Sequence, residues 1–166
     1  MITIVPILAW GLAILAAAVD IARAPPPRDR TVLYDRLLRW IFFFPIGLMG
    51  LWAFIGHVFF AQQAAASIGW QPSPFQFEVG MANLGLGIAG VLAAFMGNSF
   101  RLGVNVVAAG FLWGAAAGHV RQMLEAENFA PGNAGPIFYT DILTPLAVFI
   151  LLWMARDWGR IYNRRP

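Results

Sequence analysis

Residues Trp70–Asn83 read WQPSPFQFEVGMAN, and the reading of this stretch decides the fold. Ser73 is a favourable N-cap, Pro74 suits the first helical position, and Gln76 completes a capping box, so a helix starts here. The residues that follow are apolar for long enough to cross a bilayer, and Trp70 belongs at the membrane–water interface. Yet the helix carries Glu78 about 7 Å beyond its cap and Asn83 a further ~7 Å in, at ~1.5 Å per residue. Capping accounts for Gln76, and the positive end of the helix dipole favours an anion at Glu78. Asn83 is an amide in hydrocarbon and needs a partner.

The rest of the chain agrees with a membrane reading. Apolar residues make up 60% of the 166 positions and charged residues 11%, against about 25% charged in a soluble domain. This predicts a single all-α membrane domain over residues 1–166, a polytopic helix bundle. Cysteine is absent, which removes disulfides and thiolate ligands. All basic residues are arginine, a usage that suggests a bacterial source. The net charge of +3 is no argument for nucleic acid, because the arginines are spoken for by topology.

Five apolar runs predict five transmembrane helices, at about 2–22, 40–60, 75–96, 102–120 and 137–155. The first lacks a basic leader and is too long for a signal peptide, so it reads as a retained span. The linker RAPPPRDR breaks the first span from the second, TVLYDRLLRW reads as an interfacial amphipathic turn, and Pro45 and Pro145 are expected to kink their helices. Arg23, Arg28, Arg30, Arg36, Arg39, Arg101, Arg156, Arg160, Arg164 and Arg165 fall on one side and Arg121 alone on the other. The positive-inside rule then places the N-terminus outside and the C-terminus in the cytoplasm of a bacterial inner membrane. Asp20, Asp35 and Asp157, set among these arginines, are expected to form ion pairs. Asn98, Ser99 and Asn105 read as caps of the turn between spans three and four.

Small residues recur every four positions at Ala9, Ala13 and Ala17, at Gly85, Ala89, Ala93 and Gly97, and at Gly110, Gly114 and Gly118. Such stripes let helices approach closely, and tight packing within the bundle is the expectation.

With this topology, His57, Glu78, His119 and Asp141 all reach the outer leaflet, each from a different helix. Pro145 leaves the Asp141 carbonyl without its helical donor, a further acceptor at that level. GHV occurs at Gly56–Val58 and again at Gly118–Val120, each followed at a similar distance by a proline and a carboxylate, which hints at duplicated helix pairs.

GHV, WQPSPFQFEVGMAN and DILTPL resemble an uncharacterised family of small bacterial integral membrane proteins, domain of unknown function 6790. The similarity runs from about Gly56 to Pro145 and implies no activity, cofactor or substrate.

The functional expectation therefore rests on the polar residues. Ionisable groups inside a membrane are costly to bury and are functional candidates by default. The leading reading is an outer-leaflet site for a metal ion or small polar ligand. His57, Glu78 and His119 would be metal ligands and Gln76, Asn83 and Asp141 would contact the ligand. A transition metal is the first cofactor expectation. A b-type haem between His57 and His119 is a second. A transport path is poorly supported, since it needs polar groups near the midplane. Opposed to all of these is a non-catalytic accessory subunit in which the histidines merely hydrogen-bond to Glu78 and Asp141. Trp52, Trp113 and Trp153 would then face lipid or neighbours. Partners are the lipid bilayer and, in that case, other membrane proteins or further copies of the chain. No nucleophile–base pair, phosphate loop or nucleic-acid motif is present, so whether the chain is an enzyme is left open.

Overall fold

The computed structural model describes residues 4–155, and over these the chain is helical throughout, without strands. The elements are α1 (Val5–Arg23), α2 (Arg30–Ile41), a π-helical segment (Phe42–Leu48), α3 (Met49–Phe59), α4 (Ala61–Ile68), α5 (Phe75–Ala93), α6 (Asn98–Glu125) and α7 (Pro136–Met154). Five helices are long and apolar enough to cross a membrane, with α2, the π segment and α3 forming one continuous rod over Arg30–Phe59. TVLYDRLLRW is thus the first turns of that rod and not a separate interfacial turn. Arg156, Asp157, Arg160, Arg164 and Arg165 lie outside the described residues.

Pro45 acts through the π segment. It has no N–H to donate to Ile41, and the wider turn absorbs the mismatch, with the Met49 N–H reaching back five residues to the Phe44 carbonyl. α7 accommodates Pro145 within a single helix.

The rod and α5 touch backbone to backbone. A Cβ on Gly87 would stand 2.7 Å from the Leu51 nitrogen, one on Gly90 2.7 Å from the Gly47 nitrogen, and one on Gly50 2.8 Å from the Gly87 Cα. This seam, and not the Gly85–Gly97 stripe, is the close contact of α5. Gly85, Gly97, Gly110 and Gly114 have open space where a side chain would go. A four-residue spacing marks where a backbone can approach a neighbour, but not which face has one. The α1 stripe behaves as expected, with Ala9, Ala13 and Ala17 buried.

The two ends of the bundle differ. At the α2 end, Leu38, Ile41, Phe42, Val104, Val148 and Leu152 fill the interior. Polar groups close it from below. Asp20 pairs with Arg36 and Arg39, each at 3.4 Å. Arg101 is 2% exposed and bonds Asp35 at 2.7 Å. Its remaining N–H groups donate to the carbonyls of Ala93 and Ala94 at the end of α5, and to Asn98. Asn105 is not a cap: it is fully buried in α6 and donates to the Pro145 carbonyl at 3.1 Å. The α4 end is hollow.

Candidate ligand cavity

Phe60 leaves the helical region (φ −129°, ψ 40°), so the rod breaks there and α4 turns across the end of the bundle. Gly69, at φ +70°, ends α4 in the left-handed conformation that favours glycine. The α6–α7 loop folds onto α4 from the other side. The Gly132 N–H donates to the Ser67 carbonyl at 3.2 Å, and the Asn128 amide donates to the Ile68 carbonyl at 2.8 Å. Beneath this cover lies a cavity of about 680 Å³. Pro45 and Ile46 of the π segment, Leu86 of α5, and Trp10, Trp52, Trp70 and Phe111 are among the residues that line it. The size suits a drug-sized molecule, and a mostly apolar wall with a few convergent polar groups is the usual composition of a small-molecule site.

The polar groups in the wall include His57, Asn83, His119, Asp141 and Thr144. Asn83, His119, Asp141 and Thr144 are buried. Their hydrogen bonds fix what each presents to the space. The Asn133 amide donates to the carbonyls of His119 (3.2 Å) and Asn128 (2.9 Å), so its oxygen is the acceptor toward the indole N–H of Trp70 (3.0 Å) and Nδ1 of His119 (2.7 Å). His119 therefore carries a proton on Nδ1. In the neutral ring Nε2 is then a lone pair, 3.8 Å from Oδ2 of Asp141, which is beyond hydrogen-bond length. The Asp141 carboxyl makes no hydrogen bond to the described residues, and Pro145 has no N–H for its backbone carbonyl. The Asn83 amide donates to Val79 on its own helix at 2.9 Å, and its Oδ1 accepts from none of the described residues.

His57 is held the other way round. Gln76 does not close a capping box; its side chain crosses to the α3–α4 break and donates to the Ala61 carbonyl at 2.8 Å. The same NH2 group lies 3.4 Å from Nδ1 of His57. A nitrogen that accepts there places the proton of the neutral ring on Nε2. The helix starts at Phe75 with Pro74, not Ser73, at the cap position, and the Ser73 hydroxyl accepts from the Phe75 N–H at 3.3 Å.

A family model covers residues 3–160, described as a family of unknown function (DUF6790). The chain belongs to that family. No curated protein and no solved structure matches it.

In this family member, then, His57, Asn83, His119 and Asp141 share one cavity, while Gln76 stands behind His57 and Glu78 is exposed outside the wall. The trio His57, Glu78 and His119 is not assembled, and no group of three His, Asp or Glu side chains among the described residues is placed to hold a metal ion. The reason is angular. Glu78 faces away from Asn83, five positions on and half a turn off the same helix face. Trp52 lines the cavity, whereas Trp113 and Trp153 are exposed on the outer surface. Sequence reasoning missed Asn133, Trp10 and Thr144. The indole of Trp10 donates to the Thr144 hydroxyl at 3.2 Å and ties α1 to α7. Outside that tie, a groove of about 420 Å³ runs along the α1–α7 seam, and Trp10 and Thr140 belong to both groove and cavity.

Proposed function

We propose that this is a multi-pass protein of the bacterial inner membrane, N-terminus outside, that binds a small molecule with an apolar body and a polar head in the cavity beneath α4. The arginine distribution supports that orientation, in which the cavity would lie in the outer leaflet. The observation that carries the reading is the set of buried polar groups, Asp141, His119 and Asn83, whose free acceptors turn into a hollow lined by tryptophans. Burying such groups unpaired costs stability unless a ligand or water completes them. The groove at Trp10 and Thr140 offers a route from the bilayer for a molecule that partitions into lipid.

Filling the hollow tests this. Ala53 and Ala115 line it from opposite helices. Protein purified gently should release a discrete small molecule into organic solvent in near-equal amount, and Ala53→Phe/Ala115→Phe should release none. Identical extracts of bulk lipid from both forms, or a stoichiometric metal in the elemental analysis, would overturn the reading.

A further inference from the structure

We infer that the head of the ligand is a protonated amine, gripped between Nε2 of His119 and Oδ2 of Asp141. This rests on the cavity being a ligand site and adds the chemistry that the site selects.

The first step is the inventory of what faces the hollow. Asn133 uses the Nδ1 proton of His119, so the neutral ring offers an acceptor. The Asp141 carboxyl is a second acceptor, nine-tenths buried and unbonded by the described residues. Asn83 spends its NH2 on Val79 and keeps its oxygen, a third. Against these, the donors in the wall carry no permanent charge: the N–H of His57, the Trp52 indole, the Gln63 amide and the Thr144 hydroxyl, which accepts from Trp10 and keeps its own proton. An anionic head, such as a carboxylate or phosphate, would bring its charge against the Asp141 carboxyl and the lone pairs of His119 and Asn83. A head rich in donors would satisfy them.

The spacing points the same way. A protonated His119 donating directly to Asp141 would close to about 2.7–2.9 Å. The atoms instead stand 3.8 Å apart, too far for a direct hydrogen bond and near enough for one donor group to contact both. No arginine lines the cavity and the chain has no lysine, so nothing in the wall supplies a permanent cation for the carboxylate. Trp70 and Trp52 line the same space, and aromatic rings attract a cation over their faces. Trp70 is also tilted against the His119 ring, centroids 5.7 Å apart, so its indole flanks the grip. The expected ligand is an amphipathic organic amine with a hydrocarbon or aromatic body.

The test uses the full chain in lipid nanodiscs with phenylbutylamine and its neutral counterpart phenylbutanol, read by tryptophan fluorescence and calorimetry. The amine should bind about tenfold tighter than the alcohol, the worth of one charge-assisted hydrogen bond. Asp141→Asn should remove that preference while alcohol binding persists, which shows that the cavity has survived the substitution. In the unaltered chain, labelled with ¹⁵N-histidine, amine addition should shift the Nε2 resonance of His119 and leave its Nδ1 proton in place. Equal binding of both compounds would overturn the amine assignment and leave the cavity as a ligand site. Binding of neither would overturn both. A preference unchanged in Asp141→Asn, or an unmoved Nε2 resonance, would overturn the grip.

Discussion

Asn133 holds its amide oxygen 2.7 Å from Nδ1 of His119, and it is the one contact that decides how this histidine faces the cavity. The two GHV segments look alike in sequence, but their histidines are held in opposite senses: Asn133 offers an oxygen, Gln76 a nitrogen. Nitrogen NMR of the neutral rings should therefore find the proton of His119 on Nδ1 and that of His57 on Nε2. The same tautomer at both sites would contradict the network. Replacing Asn133 by Leu takes this partner from the Asn128 carbonyl, one indole N–H and one imidazole N–H, while the His119 carbonyl keeps its helical donor within α6. At about 1–3 kcal/mol for each buried group, thermal stability should fall by roughly 3 kcal/mol or more, and the Nδ1 preference should vanish.

The glycine seam separates position from composition on a single helix. Gly87→Val drives a side chain into the backbone of α3 at Leu51, where nothing can swing aside. Overpacking of this kind costs about 1–3 kcal/mol and more against main chain. Gly85→Val points into open space and should alter stability by less than about 0.5 kcal/mol. Comparable melting temperatures for the two variants would mean that α3 and α5 do not meet as described.

How much of this was legible beforehand follows from the type of signal. The five helices were, because twenty apolar residues between arginines have few other solutions in a bilayer. The convergence of His57, Asn83, His119 and Asp141 on one region was legible from depth along each span. Direction around the helix was not. Glu78 sits at the right height on the wrong face, and the α5 contact lies on Gly87 and Gly90, not on Gly85 and Gly97. Such rotations depend on neighbours, which a weak amphipathic pattern does not encode when lipid and protein interior are equally apolar. Asn133 was hidden for another reason. It lies in a loop of turn-forming residues, where an asparagine carries no positional signal until the loop is seen to fold back onto α4.

Arg101 should be the most costly arginine to remove from the described helices. Its guanidinium bonds Asp35, Asn98 and the terminal carbonyls of α5. Removing one partner of a buried pair costs about 3–5 kcal/mol. Because Asp35 is 41% exposed and regains water, Arg101→Met should lose about 2–3 kcal/mol, part of it from the uncapped helix. Arg101→Lys should recover less than half, since an ammonium cannot span several acceptors in one plane. Full recovery by lysine would show that charge alone matters there.

Trp10 stands between groove and cavity, and its bond to Thr144 closes the seam. Trp10→Ala should leave equilibrium affinity for a bound amphiphile within a few-fold but raise both its association and dissociation rates about tenfold, as expected when a barrier and not a contact is removed. Stopped-flow fluorescence from the remaining tryptophans would follow this. Unchanged rates would move the entrance elsewhere, to the cover formed by α4.

Orientation is open to direct test, because the chain has no cysteine to give a background signal. Gln62 on α4 and Ser99 at the start of α6 are both exposed and lie at opposite ends of the bundle. A charged maleimide that does not cross membranes, added to intact cells stripped of their outer barrier, should label Gln62→Cys and spare Ser99→Cys until the cells are lysed. The positive-inside rule predicts that result from the described arginines, six of the seven lying at the α2 end. The reverse pattern would turn the protein over and place the cavity in the cytoplasmic leaflet. Its ligand would then be drawn from the interior of the cell, with the chemistry of the His119–Asp141 grip unaltered.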